Sequence, residues 1–481
     1  MTTTYGFWLA GRQETGPETF DVRHPYDDSL VGTVAIASDA QVEEAVAAAY
    51  AVKDEFAATP AYQRAAALDH VAKRLTERAE ELAQLITREN GKPIKWARGE
   101  IGRAASVFRW AAEEARRFNS GEGQRLDTDA GGTGRLALVR RFNRGVVLGI
   151  APFNFPLNLV AHKVAPAIAV GAPIILKPAP ATPISAIVLG EILAETDLPA
   201  GSWSVLTVPN DRMPALVQDP RLPVISFTGS DKVGYSILDS VPRKHVTLEL
   251  GGNAAAVVLA DWSSEEDLEW AATRIATFAN YQGGQSCISV QRVIADASVY
   301  DRLVEKVVAK VSAQVTGDPT DDAVDVGPLV SEDAAKRVES WVDEAVAAGA
   351  QLLTGGKREG ASYAPTVLSE LPGGVTLATE EVFGPVLTIQ KVDGTDAAFA
   401  AVNDSKFGLQ AGVFTHDVQT AFRAHRELEV GGVVIGDAPS YRADQMPYGG
   451  VKDSGIGREG VAYAMADYTY ERVLILTGLN L

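Results

Sequence analysis

The sequence predicts an α/β protein built on parallel sheets. From residue 145 onward, apolar runs of strand length alternate with stretches of helix length, the pattern of consecutive strand–helix–strand units. These runs are continuously apolar, so we expect each strand to be buried on both faces, as in a parallel sheet covered by helices. The length of 481 residues leaves room for more than one such domain.

The first alternating unit covers residues 145–250. Strands are predicted at 146–150, 173–176, 202–208, 224–227 and 246–250, and helices at 157–170, 182–196, 211–218 and 232–239. Sheets of this type bind ligands at the carboxyl ends of their strands. The segments that follow these strands are rich in small and polar residues, so we expect the site there.

The flanking regions complete the expected architecture. Before residue 119, helical spacing predicts helices at 39–56, 60–89 with a break near Arg78, and 94–118. A second alternating unit is predicted from strands at 255–259, 290–295, 351–353, 387–392, 412–415 and 432–435, with helices at 264–279, 299–313, 332–348 and 397–403. Two further strands, 135–142 and 468–476, have no place in either unit, and we expect them to pair with each other or with another subunit.

Composition excludes several classes of function. The net charge of −18 argues against nucleic acid or an anionic membrane surface as a partner, since both require clustered cations. The one cysteine rules out an intramolecular disulfide and a multi-cysteine metal site, and it is typical of a reducing compartment. The sequence shows no signal peptide and no apolar run near the ~18 residues that span a bilayer, so we expect a cytoplasmic protein without a metal.

The single cysteine, Cys287, follows the glycine pair Gly283-Gly284 and precedes an apolar run. Two interpretations are open from this position alone. Cysteine is commonly a small buried apolar residue. Alternatively, Cys287 is a nucleophile on a loop where glycines allow a substrate to approach closely.

Four other side chains could serve such a nucleophile. Glu249 lies at the end of an apolar strand and must be ion-paired, hydrated in a cleft or protonated; a carboxyl with a raised pKa would suit a general base. Asn154, between Phe153 and Phe155-Pro156, could donate its amide N–H to an oxyanion. Lys177 and Glu381 could hold ribose hydroxyls or phosphates, although each could equally be structural.

A phosphate site is also conceivable at 229–234, a Gly-Ser-Asp-Lys-Val-Gly turn between a strand and a helix, where backbone N–H groups face the sheet edge. Alone this turn is weak evidence, and no Gly-x-Gly-x-x-Gly motif follows the first strand.

Together, these features indicate one chemistry. A thiol adds to a carbonyl, an amide stabilises the oxyanion, a nucleotide accepts hydride, and a carboxylate activates water at a cleft between two domains.

Seven blocks in order carry a resemblance to a known family. They are 152–156 (Pro-Phe-Asn-Phe-Pro), 177–178 (Lys-Pro), 227–230 (Phe-Thr-Gly-Ser), 249–253 (Glu-Leu-Gly-Gly-Asn), 284–287 (Gly-Gln-Ser-Cys), 381–385 (Glu-Val-Phe-Gly-Pro) and 447–460, which begins Pro-Tyr-Gly-Gly. In these blocks the sequence resembles the NAD(P)-dependent aldehyde dehydrogenase superfamily over nearly its whole length.

The resemblance implies roles for individual residues. Cys287 would be the nucleophile, Glu249 the general base, and Asn154 the oxyanion donor. NAD or NADP would be bound by a larger set: Ile150, Phe153, Lys177, Pro180, Phe227, Gly229, Ser230, Val233, Leu250, Glu381 and Phe383.

The resemblance also implies an organisation: a Rossmann-type parallel-sheet cofactor domain (1–118 and 143–250), an α/β catalytic domain (251–436), a return segment (437–462) and a small β oligomerisation element (119–142 and 463–481). Homodimers or homotetramers are the expected assemblies.

Departures from the family pattern bear on the substrates. Pro180 stands where many NAD-preferring members carry a glutamate that would repel a 2′-phosphate, so we expect NADP to be tolerated. Phe153 replaces a frequent tryptophan, and its surroundings resemble members that act on small hydroxy- or anionic aldehydes. Arg442 could meet an anionic group, although a structural salt bridge, with Asp444 as one candidate partner, is the favoured interpretation.

Two other functions remain open. CoA-acylating relatives typically lack the glutamate base, so Glu249 favours hydrolysis to the free acid over a CoA-acylating or semialdehyde-specific dehydrogenase. An inactive structural or binding member of the fold is the second alternative, and retention of the chemical residues argues against it.

Overall fold

The computed structural model describes residues 3–118 and 121–481. Residues 119–120, where the oligomerisation element is predicted to begin, lie outside the described residues, as do residues 1–2. Across the described chain, no helix combines the length and the apolar character needed to cross a membrane.

Within residues 3–118, short strands precede a group of long helices. The strands are β1 (Thr4–Tyr5), β2 (Phe7–Leu9), β3 (Arg12–Glu14), β4 (Glu18–Arg23) and β5 (Leu30–Ile36); the helices are α1 (Asp39–Ala58), α2 (Ala61–Glu77), α3 (Ala79–Asn90) and α4 (Ile94–Arg117). A capping box between Ser38 and Gln41 begins α1. The predicted break near Arg78 is confirmed, because Arg78 separates α2 from α3.

The next region supplies the centre of an eight-stranded sheet. Its elements are β6 (Glu122–Arg125), β7 (Leu136–Asn143), β8 (Val147–Ile150), α5 (Asn158–Val170), β9 (Ile174–Lys177), α6 (Ile184–Leu193), β10 (Trp203–Val205), α7 (Met213–Gln218), β11 (Val224–Thr228), α8 (Asp231–Ser240) and β12 (His245–Glu249). Five parallel strands run in the order β12-β11-β8-β9-β10, and β2 and β3 extend the sheet beyond β10. The strand order reverses between β8 and β11, which opens a crevice at their carboxyl ends.

A seven-stranded sheet follows. Its region contains β13 (Ala255–Val258), α9 (Glu265–Asn280), β14 (Arg292–Asp296), α10 (Tyr300–Ser312), α11 (Glu332–Ala347), β15 (Gln351–Thr354), β16 (Arg358–Glu359), β17 (Ser362–Tyr363), β18 (Thr366–Ser369), α12 (Thr376–Thr379), β19 (Val386–Val392), α13 (Gly394–Asn403), β20 (Phe407–Gly408), β21 (Gln410–Phe414), α14 (Val418–Glu427) and β22 (Gly432–Ile435). The sheet order is β15-β18-β19-β14-β13-β21-β22, with only β15 antiparallel to its neighbour.

The last region returns to both earlier sheets. It contains β23 (Val451–Lys452), β24 (Gly455–Ile456), α15 (Val461–Asp467) and β25 (Thr469–Leu476). β24 pairs with β12 at the edge of the eight-stranded sheet. β25 pairs along its whole length with β7 in a separate antiparallel sheet, β25-β7-β6, so the two predicted strands without a partner do join each other.

The α/β fold with parallel sheets is confirmed, and the differences from the prediction are local. α6 begins at Ile184 rather than 182, because Pro183 precedes it and the Glu89 carboxylate accepts hydrogen bonds from its first two N–H groups, those of Ile184 and Ser185. β18 and α14 were not predicted. β18 (Thr-Val-Leu-Ser) contains only two apolar residues, and α14 is a ten-residue helix in which only Ala424 is buried. The division into domains remains a prediction.

Candidate active site

One cavity of about 1330 Å³ lies where the carboxyl ends of the β8, β9, β11 and β12 strands face loops of the seven-stranded region. It brings together every site residue that the sequence predicted. The three predicted catalytic residues and eleven predicted cofactor residues in its wall are Cys287, Glu249, Asn154, Ile150, Phe153, Lys177, Pro180, Phe227, Gly229, Ser230, Val233, Leu250, Glu381 and Phe383.

Cys287 reaches the cavity from a tight loop after α9. Gly283 and Gly284 both have positive φ, 62° and 71°, and a Cβ on Gly284 would collide with the backbone of Gly384. The thiol is half-buried, and its Sγ lies 2.9 Å from the Tyr448 hydroxyl. Burial raises the pKa of Cys287 to about 12, against the opposing effect of that hydrogen bond, so the resting thiol is protonated.

Asn154 lies in the turn after β8 and is buried. Its side-chain Nδ2 donates to the carbonyl of Gln285 at 2.9 Å, which ties the amide to the loop two residues before Cys287. The Asn154 carbonyl accepts from Lys92 Nζ at 2.9 Å, and Lys92 is ion-paired with Glu100; both of these side chains are fully buried. The amide therefore has a fixed direction beside the thiol.

Two further contacts hold the turn that carries Asn154, one at the Phe153 carbonyl and one at the start of α5. The Phe153 carbonyl accepts from Asn90 Nδ2 at 2.6 Å. The Glu100 carboxylate accepts from the N–H groups of Leu157 and Asn158 at 3.0 Å each, satisfying the N-terminus of α5. Residues from the α3–α4 region thus fix the turn that carries Asn154.

Glu249 is the last residue of β12 and is buried with neither carboxyl oxygen in a hydrogen bond to the described residues. Burial, followed by the charge of Glu459, raises the pKa of Glu249 well above its usual range. Gly449, at φ 154°, leaves room for it, because a Cβ there would lie 2.8 Å from Glu249 Oε1. Of the three states open from sequence, the protonated carboxyl fits the resting site.

Behind Glu249 lies a buried charge network. The Glu459 carboxylate accepts from Lys163 Nζ at 3.2 Å and from Arg442 Nη2 at 3.1 Å. Burial alone would raise the pKa of Glu459, yet these two cations hold it down to about 2. Two cations therefore share one carboxylate at this wall of the cavity.

The predicted structural salt bridge of Arg442 is present, but its partner is Glu459 and not the suggested Asp444. Asp444 accepts instead from Arg103 at 3.0 Å and faces the His162 ring at 3.5 Å. Arg442 is drawn to Glu459 because Tyr448 and Glu459 form an antiparallel backbone bridge that brings residue 459 back to this wall.

The other end of the cavity suits the sugars of a dinucleotide. Lys177 Nζ donates to Asn210 Oδ1 at 2.7 Å, and burial lowers the pKa of Lys177 to about 8. Glu381 Oε1 accepts from the Gly252 N–H at 3.0 Å, and burial raises the pKa of Glu381 to about 8. A Cβ on Gly251 would collide with Glu381 Oε2, so a larger residue there would displace the Glu381 carboxyl.

The turn after β11 completes this end. Ser230 caps α8, accepting from the Val233 N–H, so the N-terminus of a ten-residue helix opens beside the cavity. A Cβ on Gly229 would lie 2.6 Å from the Phe227 ring, so a larger residue there would displace that ring. The cavity volume, this helix N-terminus, and the amine of Lys177 and the carboxyl of Glu381 in the cavity wall fit a nicotinamide dinucleotide.

Sequence reasoning gave no role to three residues that the fold brings to this site: Tyr448, Glu459 and Lys163. Tyr448 and Glu459 lie inside the 447–460 block, so the pattern marked their position. Their partners lie far away in the chain, and only the folded structure shows the contacts.

Comparison with known proteins identifies the family of the chain. The family model for the aldehyde dehydrogenase family matches residues 11–474. The chain belongs to this family, and the prediction of an NAD(P)-dependent aldehyde dehydrogenase is confirmed.

Individual relatives span almost the whole chain. A 3-sulfolactaldehyde dehydrogenase of Priestia megaterium is 41% identical over 474 residues, 98% of each chain. A lactaldehyde dehydrogenase of Methanocaldococcus jannaschii is 36% identical, covering 96% of this chain and 98% of its own. The crystal structure of aldehyde dehydrogenase 21 from Physcomitrella patens, in complex with the reaction product succinate, has a TM-score of 0.97 and 43% identity, covering 100% of this chain and 99% of its own.

Proposed function

We propose that Cys287, Asn154 and Glu249 carry out the oxidation of a small hydroxy- or anionic aldehyde to its carboxylic acid. The observation that supports this assignment is that a thiol, a fixed amide and an unpaired buried carboxyl line one cavity. Lys177, Glu381 and the start of α8 lie in the same cavity, and we assign them to the cofactor.

The first step belongs to Cys287. The thiol loses its proton to solvent, the sulfur forms a bond to the aldehyde carbon, and the carbonyl oxygen takes the negative charge. The Asn154 amide and the Cys287 backbone N–H stabilise that oxyanion. When bound, the dinucleotide would supply the acceptor for the hydride that leaves the aldehyde carbon, and the adduct on Cys287 would become a thioester.

The second step belongs to Glu249. Its ionised carboxylate takes a proton from water, whose oxygen bonds to the thioester carbon, and the carbon–sulfur bond breaks to restore Cys287. The carboxyl must first lose its own proton, because its pKa is raised. We therefore expect the rate of acyl release to rise with pH.

The anionic substrate class rests on Arg442. Its guanidinium is buried in the cavity wall and shares Glu459 with Lys163, so the two cations are incompletely neutralised. Glu249 adds no negative charge there while it is protonated. Two relatives, the 3-sulfolactaldehyde dehydrogenase and the aldehyde dehydrogenase 21 in complex with its reaction product succinate, are also associated with small acids.

For the cofactor, we propose that NADP is accepted beside NAD. Pro180 is exposed at the cavity and brings no carboxylate to repel a 2′-phosphate. Two similar solved structures, both glyceraldehyde-3-phosphate dehydrogenases, contain NADP.

The test is an aldehyde panel run with both cofactors and with matched pairs, such as succinic semialdehyde against butanal and lactaldehyde against propanal. We expect higher kcat/KM for the anionic or hydroxylated member, and no activity in Cys287→Ala. A clear preference for butanal, or for a bulky aromatic aldehyde, contradicts the substrate class. Formation of acyl-CoA when CoA is added contradicts hydrolysis. A kcat/KM ratio for NADP over NAD below about one hundredth contradicts the proposal for NADP.

We also propose a cytoplasmic homodimer or homotetramer assembled through the small sheet. The β25 strand lies at the edge of that sheet, and Val473, Leu474 and Ile475 are 53%, 56% and 51% exposed. Such an edge strand favours pairing with another chain. Light scattering coupled to size exclusion tests this, and a monomer at micromolar concentration would contradict it.

A further inference from the structure

The Tyr448 hydroxyl has a contact that the steps above do not use. Its Oη lies 2.9 Å from the Cys287 sulfur, and Tyr448 is 4% exposed in the wall of the same cavity. A buried phenol normally requires a hydrogen-bond partner, and here the partner is the sulfur.

The phenol is held in place from two sides. The Tyr448 N–H donates to the Glu459 carbonyl at 3.0 Å, and the Glu459 N–H returns a bond of 2.7 Å to the Tyr448 carbonyl. The Arg442 guanidinium lies over the ring, 3.8 Å from its centroid. The position of the hydroxyl is therefore set by the backbone and by a stacked cation rather than by the sulfur alone.

The relative acidities of the Cys287 thiol and the Tyr448 hydroxyl decide which of the two donates the hydrogen bond after one proton is lost. An unperturbed thiol has a pKa of about 8.5 and is a stronger acid than a phenol, whose pKa is about 10. The first proton lost from the pair is then that of the sulfur, and the phenol keeps its own. The result is a thiolate that accepts a hydrogen bond from Tyr448.

We propose that Tyr448 is a further catalytic residue, which donates its O–H to the Cys287 sulfur and stabilises the thiolate. This inference rests on the proposed role of Cys287 as the nucleophile. When sulfur bonds to the aldehyde carbon it loses its charge. When the thioester is hydrolysed, the electron pair of the carbon–sulfur bond returns to sulfur beside the same hydroxyl. The hydrogen bond therefore favours both formation of the nucleophile and departure of the sulfur.

Alkylation of Cys287 by iodoacetamide tests this without aldehyde or cofactor, and Cys287 is the only cysteine in the chain. The sulfur displaces iodide, a carbon–sulfur bond forms, and the thiol proton passes to the buffer. A hydrogen bond to a charged group stabilises it enough to shift the thiol pKa by about 1 to 2 units. Roughly half of that shift is offset by the greater nucleophilicity of a more basic thiolate, so Tyr448→Phe should slow alkylation about three- to tenfold near neutral pH.

The matched control is Tyr363→Phe, which removes the hydroxyl of another buried tyrosine outside the cavity and should leave the rate unchanged. A second measurement avoids any substitution that could impair folding: the wild-type protein is produced with 3-fluorotyrosine in place of tyrosine. Its more acidic phenol is a stronger donor, so alkylation should become faster. Equal rates for Tyr448→Phe and wild type, or no acceleration with fluorotyrosine, overturn the inference.

These outcomes separate this inference from the proposed function. Slower alkylation in Tyr448→Phe, with no aldehyde oxidised by the wild type, would support the hydrogen bond and refute the proposed function. Robust aldehyde oxidation by the wild type, with an unchanged alkylation rate in Tyr448→Phe, would support the proposed function and refute the role of Tyr448.

Discussion

Replacing Glu249 by glutamine removes the proposed base while keeping the shape of the side chain. The carboxyl is buried, and neither oxygen has a hydrogen-bond partner among the described residues. Its pKa in the folded protein is raised above 4.5, so folding becomes less favourable as pH rises from the unfolded pKa towards the folded pKa. Glutamine does not ionise, so the variant avoids this loss of folding free energy at higher pH. We therefore expect Glu249→Gln to unfold at an equal or higher temperature than wild type at and above neutral pH.

The catalytic effect should be large by comparison. A positioned general base contributes about 10²- to 10⁴-fold, so steady-state turnover should fall by that factor. The steps before acyl release do not use Glu249 in our proposal. Mixing the variant with aldehyde and cofactor should therefore give a burst of about one reduced cofactor per Cys287, followed by a slow phase.

Rapid-mixing absorbance of the reduced nicotinamide measures both phases, and thermal unfolding measures stability. The matched control is Glu381→Gln, which changes a second carboxyl in the same cavity and should raise KM for the cofactor without creating a burst. Wild-type steady-state rate should increase with pH through the raised pKa of Glu249, and the slow phase of the variant should lose that dependence. An unchanged steady-state rate in Glu249→Gln would refute the reasoning.

Three further substitutions test the rest of the site. Pro180→Glu should lower the NADP-to-NAD ratio of kcat/KM at least about tenfold, because the new carboxylate repels a 2′-phosphate; an unchanged ratio would show that residue 180 does not face that phosphate. Arg442→Met should lower kcat/KM for succinic semialdehyde about 10- to 100-fold but affect butanal much less, in parallel assays. Lys92→Met should lower the free energy of unfolding by about 3 to 5 kcal/mol by leaving Glu100 unpaired in the interior. The double variant Lys92→Met/Glu100→Gln should recover much of this in denaturant unfolding, since glutamine can still accept from the start of α5; no recovery would mean that the ion pair is not the cause.

The sequence was sufficient for the parts of the fold that have a strong local pattern. Continuous apolar strands and amphipathic helices gave the parallel sheets, and the break at Arg78 followed from local spacing. The ten-residue helix α14 was missed; its apolar residues Val418 and Phe422 are mostly exposed, and Ala424 is its only buried residue. Pairing of β7 with β25 could be expected from sequence because both strands lacked any other partner.

By itself, the sequence determined which residue types are present for the chemistry and where they fall relative to strand ends. Parallel strands bring their carboxyl ends to one edge, so Asn154, Lys177 and Glu249 had to lie near each other. Only the tertiary structure decided the protonation and pairing of these groups. Three such interactions join residues that are separated in sequence. The charge of Glu459 raises the pKa of Glu249, and Arg442 pairs with Glu459 rather than with Asp444. The third is the contact of Tyr448 with Cys287. Such contacts depend on desolvation and distance in the folded chain, and no local pattern encodes either quantity.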